Sequence, residues 1–303
     1  MRKSLRNPFT PLRLALLCLA GFGLALAPSC ERSSREAESL TSAGVTHLQM
    51  LEYDRAIRDF DRALALQPGL VVAWKNRALA YRGKGDFERS LADYDQAIVF
   101  APNDARLITE RGAGFVLLGD YSRALKDFDR AIGLKPDHAP ALESRGRVHF
   151  YVGNFAQAAA DLQRALTFDS TDAYGALWLH LVRQRLRQDD RQDFAAHAAL
   201  VDSTQWPAPI VQYFFGRLGA DSLRTLAAAT DPKAPHQRCL MFYLGEEALL
   251  EGELTSAKTL LEETRTSCPK EQAEHKGAIA ELQRLARESA ARPVRGARSR
   301  GDS

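Results

Sequence analysis

Residues 105–138 read ARLITERGAGFVLLGDYSRALKDFDRAIGLKPDH. Gly119 follows a first helical stretch and can close it in the left-handed conformation. Asp120 comes next and can cap a second helix through its side-chain oxygen. Pro136 then stops that second helix. The segment reads as one helical hairpin, and its neighbours in both directions repeat it.

Ala56, Ser90, Ala124 and Ala158 stand 34 residues apart. The same step relates Phe60, Tyr94, Phe128 and Leu162, and again Ala63, Ala97, Ala131 and Ala165. Pro68, Pro102 and Pro136 keep it, with Ser170 in the fourth place. Gly44, Gly112 and Gly146 keep it with Ala78 between them. His47, Tyr81 and Phe115 keep it, while the fourth aromatic, Phe150, is displaced by one. Small residues such as Gly112 and Ala124 let two helices approach closely, and Phe115 and Phe128 fill the space around them. A single hairpin cannot bury its apolar face, so the units must stack. These columns resemble the tetratricopeptide repeat. The resemblance implies an all-α fold, a superhelix of helical hairpins, with repeats at 37–70, 71–104, 105–138 and 139–172. Each repeat has an A helix followed by a B helix.

Two polar columns share the register. Arg77, Arg111 and Arg145 recur on helix A, and Asp59, Asp93, Asp127 and Asp161 on helix B. Ion pairs between the columns, within or between repeats, are expected, fixing repeat register; the other reading is an arginine row for a ligand. After residue 172 the sequence register breaks. Residues 173–237 read as a nonstandard helical segment, with two helices over 173–200 and a shorter one from Asp221. Residues 238–271 resume the pattern as a late, fifth repeat through Gly245, Ala248, Gly252, Ala257, Leu261 and Pro269. Residues 272–290 form an amphipathic capping helix for the open end of the stack. The basic end, 291–303, is expected to be disordered; its arginines suit anionic headgroups or cell-wall polymers, or merely solubilise the chain. Cys239 and Cys268 fall at adjacent ends of the fifth hairpin, so they are either disulfide-bonded or two buried thiols.

The beginning of the chain reads as an address. Residues 1–13 are basic, and Leu14 to Ala27 is an uncharged apolar run. It is shorter than the roughly 20 residues that span a bilayer, so an export signal over 1–29 is expected rather than a retained anchor. Leu26-Ala27-Pro28-Ser29-Cys30 resembles a bacterial lipobox, which implies lipidation of Cys30 and a membrane anchor of two or more acyl chains. Residues 30–36 would then be a polar tether.

Of 303 residues, 45% are hydrophobic and 26% charged, the composition of a folded body. The formal charge of +3 comes from the two ends; residues 30–291 hold 33 basic and 37 acidic side chains, a net of −4. That balance does not suit a general nucleic-acid binder. The seven histidines show no metal-ligand spacing, and neither a phosphate loop nor a G-x-S-x-G occurs. No enzyme, metal or cofactor is expected.

Function then falls to the surface. The A helices of such a stack line a groove. Lys75, Arg82, Arg106, Thr109, Arg147 and Tyr151 are expected there, together with Leu79, Ala113, Val116 and Glu143. This partly basic lining suits an extended peptide with acidic groups or a free carboxylate, or is a solvated charged face. The carboxylate clamp of chaperone-binding repeats is not reproduced, since Thr41 and Val45 stand in its place.

The irregular stretch narrows the resemblance. Leu177-Trp178-Leu179-His180-Leu181, then Trp206-Pro207 through Tyr213-Phe214, then Phe242-Tyr243-Leu244-Gly245 look like the NlpI-type outer-membrane lipoproteins. That resemblance implies a homodimeric adaptor on the periplasmic face of the outer membrane. Its partners would be periplasmic proteins such as a tail-specific protease and a cell-wall hydrolase presented to it. The alternative is a structural subunit of an envelope or outer-membrane assembly complex.

Overall fold

The computed structural model describes residues 27–200, 207–228 and 238–291. The expected signal over 1–29 lies almost wholly outside these residues, as do Trp206 and the basic tail from 292 onward. Among the described residues there are fifteen helices and no strand.

Helices pair in chain order. α1 (Ala27–Gln49) packs on α2 (Tyr53–Leu66), α3 (Val71–Gly83) on α4 (Phe87–Phe100), α5 (Ala105–Leu117) on α6 (Tyr121–Leu134), and α7 (Ala139–Val152) on α8 (Phe155–Phe168). Residues 30–36, expected as a tether, are helical and continue α1. The small columns do what their size allows. A Cβ on Gly112 would lie 2.7 Å from the Phe128 ring, so only glycine permits that approach. Asp86 and Asp120 cap helix B by accepting from Arg89 N and Arg123 N, whereas Asn154 makes no such bond.

Each hairpin turn passes through one left-handed residue. Gly85, Gly119 and Gly153 have φ of +76°, +77° and +86°. One step of 34 earlier stands Leu51 at +60°, and one step later Arg187 at +55°. A side chain in this region costs about 1 kcal/mol relative to glycine. The backbone period therefore runs one hairpin beyond the sequence columns: α9 (Ala173–Arg185) stacks on α8 as the next A helix, followed by the short α10 (Arg191–Ala198). The columns vanish there because the partners change. His180 is buried, meets Asp190 at 2.9 Å and stacks on Phe194.

The arginine column is fully engaged. Arg111 grips Asp127 with two bonds of 2.8 and 2.6 Å and reaches Asp95 of the preceding repeat at 2.7 Å. Arg77 does the same with Asp93 and Asp61, and Arg145 with Asp161 and Asp129. Each guanidinium joins two consecutive hairpins, so the column serves register and not a ligand. Asp59 of the first repeat meets His47 instead, at 2.8 Å.

Beyond α11 (Ala208–Phe214) and α12 (Ala220–Ala228), α13 (Met241–Glu251) and α14 (Leu254–Ser267) form the late hairpin. Gly252 takes the left-handed turn position at +83°. Cys239 and Cys268 are disulfide-bonded, with Cα atoms 4.7 Å apart. α15 (Ala273–Ala291) packs on α14, but it also folds back against α7. An aromatic hub lies where α7, α9, α13 and α15 meet. Trp178 is edge-on to Phe150 at 5.1 Å and lies 5.4 Å from Phe242. Gly277 of α15 rests on it; a Cβ there would sit 2.7 Å from Phe242. Among the described residues, no helix is long and apolar enough to cross a membrane.

Candidate functional site: a groove divided by the last helix

A groove of about 590 Å3 opens where the A helices α1, α3, α5 and α7 end. Its walls are Leu48, Leu51 and Tyr53 from the first hairpin, Leu79 and Arg82 from α3, and Ala113 and Val116 from α5. Arg147 and Tyr151 of α7 and Ala273 and Lys276 of α15 close the far side. α15 thus lies within the face that the A helices line, and it does not simply cover the end of the stack. Three bonds hold it there. Tyr151 donates its hydroxyl to the Ala273 carbonyl at 3.1 Å, Lys276 donates to the Leu117 carbonyl at 2.8 Å, and Arg284 to the Phe150 carbonyl at 3.1 Å.

Of the residues expected in the groove, Leu79, Arg82, Ala113, Val116, Arg147 and Tyr151 line it. Lys75, Arg106, Thr109 and Glu143 do not. They sit nearer the starts of their helices, while the groove gathers at the helix ends, where the first hairpin and α15 supply opposite walls. Lys75 is half-buried on α3. Arg106 is 82% exposed near Asp104, beside a separate hollow with Pro102 and Leu134. Thr109 is buried and donates to its own helix at the Ala105 carbonyl, 2.8 Å away.

The groove is also less basic than expected. Arg82 pairs with Glu110 at 2.8 Å, and Arg147 pairs with Glu143 one turn away. Lys276 is engaged with Leu117, and burial lowers its pKa. Burial pushes the Glu143 carboxyl and the Tyr151 hydroxyl up, so a tyrosinate is not formed near neutral pH. What remains is a largely apolar trough with internally matched charges.

Leu48, Leu51, Tyr53 and Lys276 were not expected from the sequence. Leu51 had a signal: it stands where the three later hairpins carry glycine. Lys276 had none, because its distance from Leu117 along the chain is 159 residues.

Among the described residues the cluster closest to a metal site is Cys239, Cys268 and Glu274. Its two sulfurs are bonded to each other. Glu274 is buried and accepts from the Tyr243 hydroxyl at 2.8 Å. These are the contacts of a structural staple.

Residues 41–105 and 115–173 match a tetratricopeptide repeat model, and residues 80–141 match a second one. PilF of Pseudomonas aeruginosa has the same fold, with a TM-score of 0.53 at 16% identity over 82% of this chain and 99% of that one. PilW, a widely conserved type IV pilus biogenesis factor, gives 0.52 at 18% identity over 80% and 98%. Among the described residues the chain is all-α, built of tandem tetratricopeptide hairpins.

Proposed function

We propose that the protein is a lipid-anchored adaptor of the bacterial envelope that brings client proteins to a protease or other partner from the periplasmic face of the outer membrane. The observation that carries this reading is the apolar groove at the ends of the A helices, lined by Leu48, Leu79 and Val116 with its charges already matched. Such a trough suits part of another polypeptide. The basic, apolar and Cys30-terminated start of the sequence supports the anchor. The likeness of 174–250 to NlpI-type lipoproteins supports the location, a homodimeric state, and a tail-specific protease with a cell-wall hydrolase as partners.

A photo-crosslinking residue placed at Leu79 in the full chain tests it. Envelope proteins attached at Leu79 but not at Arg106 are expected, with a protease or a hydrolase among them. Capture of nothing but the chain itself would sink the reading. A single stoichiometric and stable partner would favour an assembly subunit instead. Cys30→Ala is expected to abolish acyl labelling and release the protein from membranes. Light scattering at two concentrations tests the dimer.

A further inference from the structure

We infer that the open half of the groove, between Leu51 and Lys276, holds a short amphipathic helix whose polar edge is basic. This deepens the adaptor reading and rests on it.

α15 supplies the internal precedent. It is a helix lying on the same wall, and two of its cations end on carbonyls near the C-termini of A helices: the groove-lining Lys276 on Leu117 of α5, and Arg284, outside the groove, on Phe150 of α7. Helix C-termini expose unpaired carbonyls and carry partial negative charge. The wall continues past α15 toward α3 and α1. One step of 34 before Leu117 is Gly83, at the C-terminal end of α3, and Gly83 lines the cavity. Its backbone lies hard against Tyr53, since a Cβ there would overlap that ring. A second helix, laid as α15 is laid, would bring a lysine or arginine to this end of α3.

Leu51 supplies the apolar half of the argument. It occupies the left-handed turn position at φ +60°, where three later hairpins use glycine. Its side chain is 68% exposed at the groove mouth, next to Met50 at 64%. A leucine held in a disfavoured backbone conformation and left in water points to a contact outside the chain. Helix-in-groove recognition takes such apolar anchors at intervals of three and four residues. Charge agrees: the body between 30 and 291 is net acidic, and the groove's own cations have partners.

The test uses the full chain in detergent and two labelled helical peptides of equal length and leucine content. One carries lysine along its polar edge, the other glutamate. Fluorescence anisotropy is expected to show the lysine peptide binding at least tenfold tighter. Leu51→Gly is expected to weaken it at least fivefold while raising Tm by roughly 2–4 °C, because glycine relieves the turn. The gain in Tm separates lost contact from lost fold. Equal or tighter binding of the glutamate peptide overturns the inference and leaves the adaptor reading intact. So does unchanged lysine-peptide binding in Leu51→Gly. Binding of neither peptide, with crosslinks from position 51 landing on a second copy or on residues 1–26, also overturns it. Failure of the Leu79 crosslinks in cells would instead remove the adaptor reading itself.

Discussion

Arg284 donates to the carbonyl oxygen of Phe150 at 3.1 Å, joining residues 134 apart in the sequence. The same guanidinium lies 5.0 Å above the Phe155 ring and pairs with the buried Glu281. The last helix is thus fastened to α7 through the backbone and to α8 through the ring, while Glu281 of the same helix holds the guanidinium in place.

Gly277 packs the same helix closely against the aromatic hub. Gly277→Val would drive methyl groups into Phe242 and Trp178. Overpacking of this kind costs about 1–3 kcal/mol. Urea denaturation should show the loss, and hydrogen exchange should show it concentrated in 273–291.

The arginine column predicts an asymmetry. Arg111→Met leaves Asp127 buried and unpaired, a loss of about 3–5 kcal/mol. The double variant Arg111→Met with Asp127→Leu should recover most of it, since replacing both partners removes the stranded charge. If the double variant is as unstable as the single one, the column contributes more than pairing. Chemical denaturation of the two variants decides between these outcomes.

Glu246 makes stability depend on pH. Burial and the neighbouring Glu281 push its carboxyl up to about 8, against the pull of Arg185. The folded chain therefore keeps a proton that the unfolded chain releases near 4.5. Across that window stability falls as pH rises, by at most about 1.4 kcal/mol per pH unit. Glu246→Gln should match the parent in thermal melts near the bottom of the window and exceed it increasingly toward the top. A difference that does not grow with pH would contradict this account.

The disulfide closes a loop whose ends are 29 residues apart. A loop of that size contributes about 3–4 kcal/mol by chain entropy. Reduction, or Cys239→Ala with Cys268→Ala, should lower the unfolding temperature of the α13–α15 region in calorimetry. Ser267, which donates to the Arg238 carbonyl at 3.1 Å beside the bridge, should lose that bond as well.

The hairpins were legible because their causes are local. Gly112 faces Phe128, and Asp120 caps α6, within one repeat; both follow from composition at a fixed step. Arg111 was legible as a pairing residue, but Asp95 as its second partner was not, although Asp61, Asp95 and Asp129 keep the same step of 34. The groove was half legible. Arg82 and Tyr151 were found by position on helix A. Thr109 was not excluded, because a hydroxyl that bonds its own helix looks like any other in sequence. The placing of α15 was beyond reach: Ile279, Leu282 and Leu285 mark an apolar stripe, but a stripe does not say which wall it meets. The hairpin at α9 and α10 kept its backbone period after its packing residues had changed to Trp178 and Phe194.

A column of hairpins held only by next-door contacts behaves as a spring, stretching and twisting along its axis. Here α15 acts as a strut, tying α5 and α7 to the late hairpin, so the rear of the column is stiff. Compliance is left to α1–α4, and a partner that seats there can flex the front of the molecule while the rear holds its shape.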